Sequence, residues 1–139
     1  MITNYYLLSA VLAVMLVIVF GASWFLKRRA PKLDQAKFQE RWKDLQQHLP
    51  QKQTWPLAII NADKMVDDAL KARHYKGKTM GERLVSAQRD LTANDRIWYA
   101  HKMRNKLVHE DYNLTRKNDV KEALLGFLQA LKDLGAMPK

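Results

Sequence analysis

The chain has 139 residues, no cysteine and a formal net charge of +10. This length suits one small domain in addition to an anchor, and the absence of cysteine excludes a disulfide framework and a cysteine-based zinc site. All 24 Lys and Arg residues and all 14 Asp and Glu residues fall between positions 27 and 139, so this part alone carries the charge.

The first element is an apolar segment that runs for 22 uncharged residues from Tyr5 to Leu26. Roughly 20 apolar residues suffice for a helix to span a bilayer, and only a helix or a closed barrel pairs its backbone groups inside lipid. Aromatic residues mark both ends of the segment, as in the interfacial belts of membrane proteins. The pattern predicts a single transmembrane helix over residues 5–26.

Basic residues follow this segment at once, as Lys27-Arg28-Arg29, whereas none precedes it. The positive-inside rule then places residues 1–4 outside the membrane and residues 27–139 in the cytoplasm. A cleaved signal peptide fits less well, because its charge would precede a shorter apolar stretch. The basic run also suits contact with anionic lipid.

The next segment, residues 27–53, combines this basic run with a charged helix predicted from Leu33 to Leu49. Its apolar positions Phe38, Trp42, Leu45 and Leu49 recur at helical spacing. We interpret it as a juxtamembrane segment with a stalk helix, which places the start of the folded domain at residue 54.

Residues 54–139 contain four further helix signals. Thr54 is a candidate N-cap, and Thr79 opens a capping-box pattern with Glu82 for a helix that reaches about Leu91. Another helix follows Thr92 and extends to about Glu110. The last begins near Thr115 and has Gly135 as its C-cap. Because no stretch alternates with a period of two, the sequence predicts an all-α fold, a bundle of four or five helices after the transmembrane helix.

The most informative position in the predicted bundle is Arg104, which falls inside the apolar arc of its helix at 100° per residue. An arginine is rarely buried without a partner. Asp63 lies at the edge of the core face of the Thr54 helix and is the proposed partner. The alternative is that both are surface residues whose stems lie beside the core.

Charge and histidine spacing add a second signal. His101, Asn105 and His109 are four residues apart and share one helix face. Between Lys71 and Lys106 there are ten basic and three acidic residues, a net charge of +7. This concentration is typical of a domain that binds a polyanion, and also of one beside an anionic membrane. No spacing of metal ligands is evident, and we expect neither a metal nor another cofactor.

Arg104-Asn105 followed by His109, with four residues between the arginine and the histidine, resembles the motif of the HEPN superfamily of small helical domains. The resemblance covers about Thr54 to Leu134. It implies an HEPN-like bundle that acts as a homodimeric, metal-independent endoribonuclease. Arg104 would then stabilise phosphate charge, His109 would act as general acid or base, and Asn105 would orient the phosphate or His109.

Two main functional hypotheses follow, both for a membrane-anchored domain. In the first, the domain is an RNA-binding domain or an RNase, with His101, Lys102 and Lys106 contacting the nucleic acid. In the second, it is a non-catalytic module that assembles protein partners; Arg104 pairs with Asp63 to fix the bundle, and His109 only caps its helix. A third hypothesis, a regulator at the lipid surface, depends on the basic face alone.

Overall fold

The computed structural model describes residues 2–28 and 31–139, with side chains at 4–25 and 31–139. The chain divides into two compact units, Met1–Pro31 and Lys32–Lys139. The described helices are α1 (Ile2–Arg28), α2 (Gln35–Gln46), α3 (Trp55–Ala72), α4 (Met80–Ala87), α5 (Asn94–His109) and α6 (Lys117–Asp133), with a 3-10 turn at Lys52–Thr54. No strand occurs in these ranges, which confirms the predicted all-α class.

Helix α1 makes up the described part of the first unit apart from Pro31. Its apolar stretch, Asn4–Phe25, has 22 residues and a mean hydropathy of 2.4, and none of its most apolar window is buried. By length and composition it is therefore able to cross a membrane. Of the predicted basic flank, Arg29 and the side chains of Lys27 and Arg28 lie outside the description.

Helix α2 belongs to the core of the second unit, which corrects its interpretation as a stalk. Its side chains Phe38, Trp42 and Leu45 are buried in the same apolar cluster as those of α3. The Asp34 carboxylate caps α2 by accepting a 3.2 Å hydrogen bond from the Lys37 amide. The folded unit therefore begins about twenty residues before position 54, because the apolar spacing of α2 buries a face against α3.

Helix α3 is the central element and contacts all four other helices of this unit. It buries one continuous apolar face made of Trp55, Ala58, Ile59, Ala62, Met65, Val66, Ala69 and Leu70. Burying a large aliphatic side chain contributes about 1.5–3 kcal/mol, so this face accounts for much of the stability of the unit. Asp63 is the one charged residue that α3 buries within this face.

The predicted helix ends are partly confirmed. The Thr79 hydroxyl accepts a hydrogen bond from the Glu82 amide at 3.2 Å, as a capping box requires. Gly135 has φ +77° and ends α6 in the left-handed conformation. Thr54 occupies the N-cap position of α3, as predicted, but its side chain makes no capping hydrogen bond; its hydroxyl instead donates to the His48 carbonyl oxygen at 2.7 Å. Helix α4 also ends earlier than predicted, at Ala87.

Helices α5 and α6 approach each other closely at Gly126. A Cβ atom at this position would lie 2.6 Å from the Arg96 carbonyl oxygen of α5, which is closer than real Cβ contacts. Only glycine therefore permits this backbone contact. The contact fixes α5, the helix that carries the Arg104 motif, against α6.

Candidate functional site

Four polar side chains meet where α3 packs on α5. Asp63 comes from α3, whereas His101, Arg104 and Asn105 come from α5. The three α5 residues are spaced by three and four positions, so their side chains project from neighbouring turns toward α3. The structure thus brings together Arg104 and the aspartate proposed as its partner.

The carboxylate of Asp63 lies at the centre of this cluster and is only 2% exposed. Its Oδ1 atom is 2.8 Å from His101 Nδ1, and its Oδ2 atom is 3.2 Å from Arg104 Nε. The second contact lacks hydrogen-bond geometry, and the buried Arg104 Nε has no hydrogen-bond partner within the described structure. Asp63 therefore hydrogen-bonds His101 and forms an ion pair with Arg104.

The hydrogen bonds of the cluster have one consistent direction. Because the Asp63 carboxylate can only accept, His101 Nδ1 is the donor of the hydrogen bond between them. Arg104 Nη1 donates to Asn105 Oδ1 at 2.8 Å, so the Asn105 Nδ2 donor faces His101 Nε2 at 3.4 Å and Nε2 is the acceptor. The four side chains form a closed ring, in which each orients the next; we call it the α3–α5 ring.

The α3–α5 ring runs from the core to the surface. His101 is buried, with the edge of Trp98 against it at a ring-centroid distance of 6.0 Å and an angle of 74°. The Arg104 side chain, by contrast, is 32% exposed. It faces an open cleft of about 760 Å³, the α3–α5 cleft, which is also lined by Ile60, Lys64, Asp67, Trp98, Lys102 and Gly81. The ring thus holds a guanidinium at the wall of this cleft.

A second ionic cluster borders the same cleft. Arg83, which is 7% exposed, donates to Asp67 Oδ1 from Nε at 2.8 Å and to the Gly77 carbonyl oxygen from Nη1 at 2.6 Å. Lys71 Nζ lies 2.8 Å from the other carboxylate oxygen. Burial alone would raise the pKa of Asp67, but the hydrogen bonds from Lys71 and Arg83 lower it below the ordinary value. The negative charge of Asp67 is therefore balanced by Arg83 and Lys71.

The remaining predicted site residues lie outside the ring. Lys102 is exposed and lines the cleft, whereas Lys106 is exposed with its Nζ atom 5.6 Å from the centroid of the Tyr112 ring. His109 is exposed as the last residue of α5 and does not line the cleft. Within one chain, then, Arg104 and His109 do not share a site.

The burial of His101 differs from what sequence reasoning expected. The sequence predicts that His101 contacts nucleic acid, yet His101 is 7% exposed and bound to Asp63. Sequence reasoning also missed Lys64 and Trp98 of the cleft. The spacing of Trp98 and His101 by three residues, one turn of α5, was the available signal for their contact.

No three His, Asp or Glu side chains in the described parts of the chain gather in a way that could hold a metal ion. Compared with known proteins, the chain matches no family model, no curated protein and no solved structure. Function is therefore inferred from the geometry of the α3–α5 ring and its cleft.

Proposed function

We propose that this chain is a membrane-anchored, HEPN-like domain that binds RNA phosphates in the α3–α5 cleft through the exposed edge of Arg104. One observation carries the proposal: Arg104 is held by Asp63 and Asn105, yet 32% of its side chain remains exposed. A guanidinium with a fixed orientation loses less entropy when it binds a phosphate, and its planar fork suits bidentate contact.

The charges around the cleft support an anionic ligand. Lys64 and Lys102 are exposed lining residues and form no ion pair within the described chain. Of the two acidic lining residues, Asp63 is balanced by Arg104, and Asp67 by Arg83 and Lys71. The unbalanced charge of the cleft is therefore positive, and phosphate binding there would depend on salt.

Cleavage by this domain would require two copies. His109 follows Arg104 by five residues, which on a helix of 3.6 residues per turn places them about 140° apart. In a homodimer, His109 of one copy can serve as general acid or base beside Arg104 of the other, and Asn105 would keep Arg104 oriented. Val108, which is 46% exposed, gives this end of α5 an apolar surface for such a contact.

The proposal includes the membrane. The apolar stretch Asn4–Phe25 of α1 would span the bilayer, and the basic residues that follow it would keep residues 27–139 in the cytoplasm. A cytoplasmic location gives the domain access to RNA. Tethering would confine its action to RNA near the membrane.

The test is RNA cleavage by the full chain in a non-ionic detergent with EDTA present. We expect cleavage that leaves 2′,3′-cyclic phosphate ends and is lost in His109→Ala and Arg104→Ala, but not in the control His48→Ala. Mixing the two inactive variants should restore part of the activity if one site draws on both copies. Cleavage that needs a metal, or that survives His109→Ala, would contradict the proposal.

A second candidate is a non-catalytic module that assembles protein partners on the membrane. The observation that favours it is the charge balance of the α3–α5 ring, in which Asp63 already neutralises Arg104. A folded dimer that neither cleaves nor binds RNA would support this candidate. Salt-sensitive binding to anionic vesicles without RNA binding would instead support a regulator at the lipid surface.

A further inference from the structure

A separate groove lies between α2 and α6 and shares no lining residue with the α3–α5 cleft. Both helices pack on α3, and the space left between them measures about 420 Å³. Its lining is mostly apolar and includes Trp42, Trp55, Val120, Leu124, Leu125 and Leu128. We call it the α2–α6 groove. Leu125 is 37% exposed there.

One margin of the α2–α6 groove is positively charged. Lys117 and Lys121 line it, are exposed, and lie one turn apart on α6, so both can approach one anion. Neither forms an ion pair or a side-chain hydrogen bond within the described residues. The nearby carboxylate of Asp119 is occupied by Arg116, with contacts of 3.0 Å.

We propose that the α2–α6 groove binds a single-chain carboxylic acid of the fatty acid type. The hydrocarbon chain would lie against Trp42, Trp55 and Leu124, and the carboxylate would bind between Lys117 and Lys121. An apolar lining with a few convergent polar groups is the usual composition of a small-molecule site. The proposal goes beyond the RNA function, since it concerns a different surface and ligand.

The size of the groove suits a small ligand. Its volume of about 420 Å³ lies within the range of about 300–1,000 Å³ for sites that hold small ligands.

The test uses the full chain in nanodiscs of neutral lipid, with a photoactivatable long-chain fatty acid as the probe and mass spectrometry to map the adducts. We expect adducts in α6 and in residues 42–55. Leu125→Trp fills the groove at an exposed position and should lower this labelling at least fivefold. Lys117→Glu combined with Lys121→Glu should do the same by charge reversal.

Matched controls separate site binding from partition into the bilayer. Val85→Trp places the same side chain on α4, and Lys37→Glu with Lys43→Glu makes the same charge change on α2; neither should alter the labelling. The methyl ester of the probe has the same chain without the charge and should label weakly. Equal labelling by the ester, or adducts confined to α1, would overturn the proposal.

A second copy of the chain is the competing occupant. A photo-crosslinking residue at position 125 would then give covalent dimers, and the fatty acid probe would fail to label α6. That pair of results would also overturn the proposal and assign the groove to a dimer contact.

Discussion

His101 Nδ1 lies 2.8 Å from Asp63 Oδ1, and this hydrogen bond holds the side chain of an α5 histidine in the core. Both residues are nearly inaccessible to solvent, so water does not compete for this bond. The buried Asp63 carboxylate therefore relies on His101 as a hydrogen-bond donor. Arg104 reaches the same carboxylate from the cleft side. Asp63 therefore contacts two residues with different roles: His101, which is structural, and Arg104, which is the candidate anion-binding residue.

This sharing predicts unequal stability effects at the two ends of the ion pair. Asp63→Ala leaves the buried Nδ1–H of His101 and the Arg104 charge unpaired, and we expect a loss of about 3–5 kcal/mol in the free energy of unfolding. Arg104→Ala leaves Asp63 its bond to His101 and removes a partly exposed group, so we expect only about 1–2 kcal/mol. Urea unfolding followed by circular dichroism measures both. Equal losses would contradict the sharing.

Substitutions of the two α5 histidines should affect different properties, folding stability for His101 and RNA cleavage for His109. His101→Phe removes the partner of a buried carboxylate, and we expect a clear loss of stability of about 1–3 kcal/mol. His109 is exposed, so His109→Ala should change stability by less than about 0.5 kcal/mol while it abolishes any RNA cleavage. Melting temperatures and cleavage rates of both variants check this. A large destabilisation by His109→Ala would point to a structural role.

The cleft lysines predict a particular salt dependence of RNA binding. If Lys64 and Lys102 each contact one phosphate of single-stranded RNA, their joint replacement by alanine should reduce the slope of log affinity against log salt by about 1.4. Lys37→Ala with Lys43→Ala removes two exposed lysines from α2 and serves as the matched control. Fluorescence anisotropy at several salt concentrations gives the slopes, and equal slopes for the two pairs would refute the cleft as the binding surface.

Gly126 predicts a packing effect where α5 contacts α6. In Gly126→Ala the new Cβ would meet the Arg96 carbonyl group of α5, and we expect a loss of about 1–3 kcal/mol through forced separation of the helices. Gly81→Ala is the control, because its Cβ would lie 3.7 Å from Trp98, an ordinary contact. Thermal unfolding should show a marked loss for the first variant only.

The raised pKa of Tyr75 predicts a loss of folding stability at alkaline pH. Burial, followed by the hydrogen bond from its hydroxyl to Asp90 at 2.6 Å, raises the pKa of Tyr75 from 10.0 to about 12. Because the folded pKa exceeds the unfolded one, the stabilisation is complete below pH 10 and is lost as the pH rises toward 12. Tyrosinate absorbance should show a late-titrating group that is absent in Tyr75→Phe and titrates earlier in Asp90→Asn.

The helical class and several helix ends followed from local chemistry. The capping box at Thr79 and the left-handed Gly135 depend on a few neighbouring residues, which a sequence displays directly. The membership of α2 in the core did not follow. Phe38, Trp42 and Leu45 have the spacing of any amphipathic helix, and the surface that covers such a face is a tertiary property.

The site was foreseen in part for the same reason. The helical wheel placed Arg104 toward the core and Asp63 at the edge of a facing helix, so charge pairing was the natural inference. The inward direction of His101 and the closeness of α5 to α6 at Gly126 depend on how two helices cross. That crossing is fixed by side chains far apart in the sequence.

The α3–α5 ring also restricts rotation of α5 about its own axis. Its side-chain atoms lie roughly 6 Å from the helix axis, so a turn of α5 by about 10° would move them by roughly 1 Å. Such a shift would stretch the 2.8 Å contact of His101 with Asp63 beyond hydrogen-bonding distance and strain the ion pair with Arg104 at the same time. The ring therefore holds α5 in one rotational position, and a ligand that approaches Arg104 would meet a guanidinium in a fixed place.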